Sequence, residues 1–385
     1  MFAGAAQGMR AHTKRFRIVG RGPSMSFPYP YLLRVCAAAA LPALIGFGAT
    51  APSQAGAAPL AERPIVIAHR GASGYLPEHT MEAYRLAVQM GADFIEPDLF
   101  LTADGVLVAR HDRNLVATTN VRAVGAANPE LYAKGTGTAA ARNYNVDALT
   151  YADIQMLNAQ SRGTSGYATP GGSPYYNGTE SFAVPTFHDV LDYVYDIYQT
   201  TGQIIGVYPE VKTISGAASY NRDIATAMVE ALTDARYGDF FDGSRNNVFL
   251  QSFDQSIIQY LNTITDLPLV FLTSCPGTAA QASAIAAYAD GVGISSGGAS
   301  QACIDRAHEA GLLVHVYTLT DNQAQYETLY GRGVDGIFGN HPDVAVAGRD
   351  AVFPVAEPAS LALFGLGLAG LVAAGRRHEA TASRA

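Results

Sequence analysis

The middle of this 385-residue chain contains no block of clustered lysine and arginine, and the net charge of the whole sequence is −8. Because binding to a nucleic-acid backbone relies on such clusters, nucleic acid is not expected as a partner. The sequence also lacks the Gly-rich turn that binds nucleotides at the start of a doubly wound sheet. Apolar residues, in contrast, make up 49% of the chain, which allows a sizeable core and excludes global disorder.

The N-terminal segment differs in composition from the middle of the chain. Basic residues between positions 10 and 34 precede an apolar stretch at 36–49, and small residues follow. This order is typical of a secretory signal, so we assign residues 1–55 to a signal peptide region and residues 56–63 to a linker. A buried N-terminal helix is the alternative.

The C-terminal segment carries a second apolar run, Leu361–Ala374, which is shorter than the roughly 20 residues that span a bilayer comfortably. Glu357-Pro358 precedes this run and Arg376-Arg377 closes it. The pattern resembles the PEP-CTERM sorting tail of some Gram-negative bacteria, although Ala356 stands where that motif has its first proline. We therefore assign residues 350–385 to such a tail. A last barrel helix is the alternative, but it would show a polar face.

The two terminal segments together predict an exported protein that is periplasmic, extracellular or held at the outer surface of a Gram-negative bacterium. The tail is expected to be transiently membrane-associated or processed by a sorting protease. Cysteine is scarce, and an exported chain without its signal would keep only Cys275 and Cys303. These two residues could form a disulfide or stay as two buried thiols.

Between the termini, apolar runs that resemble strands alternate with amphipathic stretches. The strand-like runs are Ile65–Ala68, Phe94–Leu99, Ile204–Val211, Val248–Phe253, Leu269–Thr273, Gly291–Ile294, Leu312–Thr318 and Gly336–Gly339. The helical stretches are Thr80–Met90, Asn221–Ala235, Gln255–Leu261, Ala279–Tyr288, Gln301–Ala310 and Gln323–Arg332. Eight apolar strands separated mostly by helices indicate a parallel sheet covered on both faces. We predict an α/β fold, a TIM (β/α)8 barrel over residues 64–349, with an open doubly wound sheet as the alternative.

One interval interrupts the alternation of strands and helices. Residues 113–203 are predicted to form a long insertion between the second and third barrel strands, because the part at 134–186 is rich in Gly, Tyr, Asn, Ser and Thr. A hairpin turn around Asp104-Gly105 leads into the insertion, and helix starts are predicted near Thr150 and Thr186. Loops of this length at a barrel's mouth tend to carry function, so we expect substrate preference to be set there.

Charged residues follow the first predicted strands, where the active site of a TIM barrel lies. Glu96 and Asp98 are two residues apart, and hence point to the same side of an extended strand. Two carboxylates on one buried face repel each other unless a cation lies between them, and a hard divalent cation answers this need. Pairing with arginines is the alternative.

The neighbouring strands add further charged groups. Glu210 can supply a third oxygen ligand, and Lys212 with Arg70 can bind phosphate oxygens. His69 ends the first strand, and His111 follows the hairpin. Two histidines, three carboxylates and two cations are the groups that cleavage of a phosphodiester requires.

These residues resemble the signature of the glycerophosphodiester phosphodiesterase family, in particular its periplasmic, calcium-using branch. The matching segments are His69-Arg70-Gly71-Ala72, Pro77-Glu78-His79-Thr80, Glu96-Pro97-Asp98, Asp104-Gly105, His111-Asp112, Tyr208-Pro209-Glu210-Val211-Lys212, Gln251-Ser252-Phe253, His315-Val316-Tyr317-Thr318 and Asp335-Gly336-Ile337. They span nearly all of residues 64–345. His79 stands where many members have Asn, and Pro97 is unusual between two ligands.

The resemblance implies His69 and His111 as acid and base, and a metal held by Glu96, Asp98 and Glu210. Ca²⁺ is the expected metal and Mg²⁺ the alternative. The resemblance implies Arg70 and Lys212 as phosphate binders. Glu78 is expected to line the site by orienting a histidine or contacting glycerol, and Phe253 and Tyr317 are expected to wall the substrate pocket. For Glu78 the alternative is a helix-start carboxylate, and for the two aromatic residues it is plain core packing.

The resulting hypothesis is hydrolysis of a glycerophosphodiester to sn-glycerol 3-phosphate and an alcohol. One alternative keeps the barrel but acts on lysophospholipid or sphingomyelin, as phospholipases D of the spider type do. Another is an inert barrel that binds a surface. The sequence sets neither the headgroup nor the oligomeric state.

Overall fold

The computed structural model describes residues 63–354 of the chain. The predicted signal peptide region and nearly all of the linker and the C-terminal tail lie outside these residues. The strands are β1 Ile65–His69, β2 Phe94–Glu96, β3 Asp98–Leu101, β4 Leu107–Ala109, β5 Gly206–Val207, β6 Glu210–Val211, β7 Leu250–Ser252, β8 Leu269–Leu272, β9 Gly291–Ser295, β10 Leu313–Leu319 and β11 Gly336–Gly339. The helices are α1 Met81–Gln89, α2 Val121–Ala127, α3 Pro129–Lys134, α4 Tyr151–Ile154, α5 Phe187–Thr201, α6 Ala218–Leu232, α7 Gln255–Ile264, α8 Ala279–Ala286, α9 Gln301–Glu309, α10 Gln323–Gly331 and α11 Pro342–Val352.

The strands close into a ring of parallel pairs. β1 pairs with β11 on one side and with β2 on the other, β2 pairs with β5, and β3 pairs with β6. The remaining pairs run in chain order from β6 to β11. Since β2 with β3 and β5 with β6 are each one strand interrupted by a proline, the ring contains eight strands. The predicted TIM barrel is confirmed.

The interruptions occur at Pro97 and Pro209, at the same level of adjacent strands. A proline cannot donate to a ladder, but its carbonyl group can still accept. Glu210 N donates to Pro97 O at 2.9 Å, and Gln251 N donates to Pro209 O at 3.0 Å. The strands therefore stay in register, and the acidic residues beside each proline keep their places in the sheet.

Two sets of buried apolar side chains surround this ring. In β1, Val66 and Ala68 pack with the helices, whereas Ile67 belongs to a separate cluster inside the barrel. We call the interior cluster the floor; its central members are Ile67, Phe94, Tyr208, Val270 and Phe338. The alternation along each strand thus separates an outer layer from a packed interior, as expected for this fold.

The insertion begins with the predicted hairpin, in which β3 and β4 pair antiparallel. Thr150 and Thr186 cap α4 and α5 with reciprocal capping boxes, so both predicted helix starts are confirmed. α5 has 15 residues and covers the sheet as the second barrel helix, so the irregular part of the insertion ends at Thr186. The short helices α2 and α3 were not predicted, although Asn128-Pro129 is a recognisable start signal for α3.

The last helix and the cysteines complete the described chain. α11 continues to Val352, three residues beyond Arg349, where we expected the barrel domain to end. Cys275 and Cys303 form a disulfide that joins the segment after β8 to the first turn of α9. Among residues 63–354 no helix combines the length and the apolar character needed to cross a bilayer.

Candidate active site

The three acidic residues singled out in the sequence meet at the carboxyl ends of the strands. Asp98 lies opposite Glu210 in the register of β3 and β6, and Glu96 lies opposite His69 in that of β2 and β1. One carboxylate oxygen from each of Glu96, Asp98 and Glu210 lies within 4.8 Å of the others. All three side chains are buried. We call this end of the barrel, marked by the three carboxylates, the mouth.

Burial and mutual repulsion dominate the electrostatics of the mouth. Burial and the charges of Asp98 and Glu210 raise the pKa of Glu96 well above its ordinary value. Burial also raises the pKa of Glu210, to about 8. Burial would raise the pKa of Asp98 as well, but the charge of Lys212 and the hydrogen bond from His79 hold it well below the usual range. Three buried carboxylates at this spacing carry more negative charge than Lys212 and Arg70 together offset.

A hard divalent cation fits this donor set. Asp98 Oδ1 is buried without a hydrogen-bond donor, so one oxygen in the centre of the cluster lacks a hydrogen bond. Oxygens up to 4.8 Å apart can bind one Ca²⁺, whose distances to its ligands are about 2.3–2.6 Å. Carboxylate oxygens are the ligands such a cation prefers. The triad of Glu96, Asp98 and Glu210 could therefore hold a divalent metal ion.

The two predicted phosphate binders lie against the carboxylates. Lys212 Nζ lies 2.9 Å from Glu210 Oε1 and 3.5 Å from Asp98 Oδ1. Arg70 donates its backbone N–H to Glu96 Oε2 at 2.8 Å, and its guanidinium lies 3.3 Å from Asp98 Oδ2. Burial lowers the pKa of Arg70 and of Lys212, but the acidic neighbours outweigh it and raise both pKa values above their ordinary range. Both side chains are therefore charged beside the proposed metal position.

His69 ends β1 and faces the same mouth. Its Nδ1 lies 2.7 Å from Asn340 Oδ1, and the Asn340 amide in turn donates through Nδ2 to Gly166 O. Because the amide is oriented in this way, His69 Nδ1 carries the proton and Nε2 presents a lone pair. Burial, with the charge of Arg70, lowers the pKa of His69 well below its ordinary value. A neutral ring with a free Nε2 suits a base.

The residue pair after His69 explains the sharp turn of the backbone. Arg70 has φ 60°, and Gly71 has φ 82°. A Cβ at Gly71 would lie 2.7 Å from the backbone of Ala83, so only glycine allows this approach to α1. Ala72 N then donates to Ala83 O at 2.9 Å. The tight turn brings His69 and Arg70 together at the mouth.

His111 differs from His69 in its partner and exposure. Its Nδ1 lies 2.7 Å from Asp112 Oδ1, and about a third of the side chain is exposed. Asp112 Oδ2 accepts from Arg162 at 2.7 Å. Burial would raise the pKa of Asp112, but its hydrogen bond to His111 and the charge of Arg162 hold that pKa below its usual range. An ionised carboxylate fixes the orientation of the ring, as in other histidine–aspartate pairs.

Glu78 lies two residues before Thr80, the N-cap of α1, but its carboxylate pairs with arginines of the site. Its carboxylate accepts two hydrogen bonds from Arg162, at 2.6 and 2.8 Å, and two longer ones from Arg70. Although burial favours the neutral acid, these two arginines lower the pKa of Glu78 to about 2. The side chain is only 2% exposed, so Glu78 mainly holds the two arginines in place.

The two aromatic residues singled out in the sequence, Phe253 and Tyr317, lie next to each other. The rings of Phe253 and Tyr317 meet edge to face with centroids 5.6 Å apart. Burial and the charge of Glu210 raise the pKa of Tyr317. Phe253 is 52% exposed, so core packing is not its role. A cavity of about 650 Å³ lies beside it, between the segment after β6 and the start of α7.

Several site residues were missed in the sequence. His79 is fully buried, with Nε2 2.8 Å from Asp98 Oδ2 and Nδ1 2.7 Å from Tyr84 Oη. Its position in the signature was the available signal. Arg162, Asn340 and Gln251 also contact site residues. For Arg162 and Asn340 no local pattern gives such a signal.

Comparison with known proteins gives a family for most of the chain. The model of the glycerophosphoryl diester phosphodiesterase family matches residues 69–344. A PEP-CTERM protein-sorting motif matches residues 354–377, nearly all of which lie outside the described residues. The resemblances to this family and to the sorting motif are confirmed.

Two curated relatives illustrate the range of similarity. A glycerophosphodiester phosphodiesterase of Bacillus subtilis is 33% identical over 291 residues, which cover 74% of this chain and 85% of the relative. A protein of the same name from Haemophilus influenzae is 34% identical over 204 residues, and the match covers 52% of each chain.

Solved structures share the barrel at lower identity. A phosphodiesterase of Oleispira antarctica, in complex with the product sn-glycerol-3-phosphate, has a TM-score of 0.57 at 21% identity and covers 75% of this chain and 97% of its own. A glycerophosphodiester phosphodiesterase of Agrobacterium tumefaciens has a TM-score of 0.52 at 23% identity and covers 74% of this chain and 99% of its own. At these identities the likeness shows the fold.

Proposed function

The chain belongs to the glycerophosphoryl diester phosphodiesterase family, and we propose that it hydrolyses glycerophosphodiesters to sn-glycerol 3-phosphate and an alcohol. The curated relative from Bacillus subtilis bears the same activity in its name, and the Oleispira antarctica structure contains that product. The observation that carries the proposal is the meeting of Glu96, Asp98 and Glu210 with two differently held histidines at one barrel mouth.

A divalent metal would be held by Glu96, Asp98 and Glu210, where it would act as a Lewis acid on a phosphoryl oxygen. The proposed ion is Ca²⁺, in line with the resemblance to the calcium-using branch of the family, and Mg²⁺ is the alternative. Arg70 and Lys212 would bind the remaining phosphate oxygens and stabilise the charge that develops in the transition state.

The two histidines would divide the proton transfers between them. His69 Nε2 has the free lone pair and would take a proton from the nucleophile, whose oxygen then forms a bond to phosphorus. As the bond from phosphorus to the alkoxide breaks, His111 would give a proton to the departing oxygen, while Asp112 holds the imidazolium. The nucleophile is water, or the glycerol 2-hydroxyl by way of a cyclic phosphate.

Two measurements test whether the protein binds a metal ion: the stability of the folded protein with and without Ca²⁺, and the rate of hydrolysis. At a Ca²⁺ concentration of 100 times the Kd, binding stabilises the folded protein by about 2.7 kcal/mol. The melting temperature should rise by roughly 5 °C in a domain of this size. Glu96→Gln should abolish both this rise and the activity. Without metal, however, it should be at least as stable as wild type, because it removes one of three repelling carboxylates.

Glu82→Gln is the matched control, since the Glu82 side chain is 45% exposed on α1 and, among the described residues, forms an ion pair with Arg85 alone. This variant should keep the calcium-induced rise and the activity. No rise in wild type with Ca²⁺ or Mg²⁺ would contradict the metal site and favour an inert barrel. Comparing glycerophosphocholine with lysophospholipid and sphingomyelin tests the substrate, and preference for the lipids would favour the phospholipase alternative.

Export is proposed on the PEP-CTERM motif at 354–377, and the disulfide between Cys275 and Cys303 suits an oxidising compartment. The proposed layout is a signal region at 1–55, a linker at 56–63, a barrel at 64–349 and a sorting tail at 350–385. Fractionation of cells that express the full chain, compared with a variant that ends at Pro354, tests whether the tail directs surface retention.

A further inference from the structure

A short loop of the insertion, residues 161–168, reaches the mouth of the barrel. The Ser161 hydroxyl donates to Ala168 O and closes the loop on itself. Ala168 N donates to Ser73 O at 2.8 Å, which fixes the loop on the segment after β1. We call residues 161–168 the brace. Its two ends are thus held by hydrogen bonds, and residues between them contact the groups that hold the two histidines.

Arg162 is the side chain of the brace that acts toward His111. Its Nε and Nη2 donate to the two oxygens of Glu78, and its Nη1 donates to Asp112 Oδ2 at 2.7 Å. Asp112 holds His111 Nδ1 through its other oxygen. Each guanidinium nitrogen of Arg162 therefore already binds a carboxylate, and the side chain is only 17% exposed.

Gly166 acts toward the other histidine through its backbone. Its carbonyl accepts from Asn340 Nδ2 at 2.6 Å, and Asn340 Oδ1 receives His69 Nδ1–H. Gly166 has φ +82°, and a Cβ there would lie 2.6 Å from the Thr320 methyl group, so a side chain would displace this carbonyl. The amide of Asn340 could otherwise turn and offer N–H to the ring.

From these contacts we propose that the brace positions both histidines, with Arg162 orienting His111 through Asp112 and the Gly166 carbonyl setting the tautomer of His69 through Asn340. Arg162 is thus a positioning residue for the reaction, not a substrate ligand. The inference rests on the proposed function, and it makes the insertion part of the catalytic assembly as well as a rim around the substrate.

The test compares Arg162→Gln, Arg162→Lys and Asp112→Asn in the full chain. Loss of a group that orients a catalytic residue costs roughly 10- to 100-fold in activity. In Arg162→Gln that loss should fall on kcat, with KM nearly unchanged, because the substrate contact is not altered. Lysine can keep one charged hydrogen bond to Asp112, so Arg162→Lys should recover part of kcat.

A double variant shows more directly whether the effect of Arg162 on kcat passes through Asp112. If Arg162 acts through Asp112, the Arg162→Gln/Asp112→Asn double variant should be no slower than Asp112→Asn alone. Arg142→Gln is the matched control, because Arg142 lies in the insertion and its hydrogen bonds go to backbone carbonyls away from the mouth. This control should keep the wild-type kcat and KM.

Two results would overturn the proposal. A higher KM at unchanged kcat in Arg162→Gln would make Arg162 a substrate ligand, and fully additive losses in the double variant would disconnect it from Asp112. Heteronuclear NMR of the histidine rings separates this inference from the proposed function. The His111 Nδ1–H should be protected in wild type and lost to exchange in Arg162→Gln, whether or not any glycerophosphodiester is hydrolysed. Equal protection in both proteins would also refute the brace.

Discussion

The mouth and the floor of the barrel are built by the same strands but differ in what they bury. Phe94 and Tyr208 belong to the floor, and two residues further along the same strands lie Glu96 and Glu210 of the mouth. Since both members of each pair point to the interior, its character changes from apolar to acidic within one layer of side chains. The floor stabilises the fold, and the mouth carries repelling charges whose benefit lies in function.

Each region also contains a buried histidine. His69 at the mouth is held by Asn340, and His315 within the floor shares a 2.6 Å hydrogen bond with Tyr208 Oη. Burial lowers the pKa of both rings, that of His315 to about 4. Both rings are therefore held in the neutral form. His69 differs from His315 in having charged groups around it, among them Arg70 and Asp98.

The largest expected effect separates these two histidines by activity. Asparagine can keep a polar atom where Nδ1 stood but has none at Nε2, so His69→Asn should keep its bond to Asn340 and lose the base. Removal of a general base lowers kcat by roughly 10²- to 10⁴-fold. His315→Asn, which changes only the floor, should retain kcat within about threefold. Steady-state kinetics of both variants, with melting temperatures to confirm folding, make the comparison.

Equal losses of activity in the two variants would mean that the mouth and the floor do not divide function from stability. A fully active His69→Asn would remove His69 from the mechanism altogether. His111→Asn serves as the second arm, because its expected loss is of the same order as that of His69→Asn.

The barrel and the acidic triad could be predicted from the sequence because both depend on local patterns. Apolar runs mark buried strands, and the spacing of Glu96 and Asp98 places them on one face regardless of the rest of the chain. The hairpin and the capped helices α4 and α5 were predicted for the same reason, since turn and cap signals lie within a few residues.

The groups that hold His69 and Asp112 could not be predicted, because they come from distant parts of the chain. Asn340 lies 271 residues from His69, and Arg162 lies 50 residues from Asp112. Such contacts depend on how the barrel closes and on how the insertion folds back, and neither leaves a periodic pattern in the sequence. The disulfide was undecided for the same reason, since spacing alone does not bring Cys275 to Cys303.

The disulfide should affect stability alone, although it lies on the same side of the barrel as the mouth. It joins cysteines 28 residues apart, and closing a loop of that length in the unfolded chain corresponds to about 3–4 kcal/mol of stabilisation. The Cys275→Ser/Cys303→Ser variant should lose that amount in the free energy of unfolding while kcat stays within about twofold. Chemical denaturation of the variant and of reduced wild type should agree; a parallel loss of kcat would show that the mouth depends on this link.

The smallest expected effect is a pH dependence of stability that originates at the floor. Burial lowers the pKa of His315 from its ordinary 6.5 to about 4, so between these pH values the unfolded chain binds more protons than the folded protein. The free energy of unfolding therefore falls as the pH drops through this window, by about 3 kcal/mol from this group at roughly 1.4 kcal/mol per pH unit.

Other buried histidines, such as His79, titrate in the same direction, so only the difference between variants isolates His315. His315→Asn cannot titrate, and denaturant unfolding at pH 7 and pH 4 should show a loss about 3 kcal/mol smaller than in wild type. If the two proteins lost equal stability, the acid sensitivity would belong to the mouth and not to the floor.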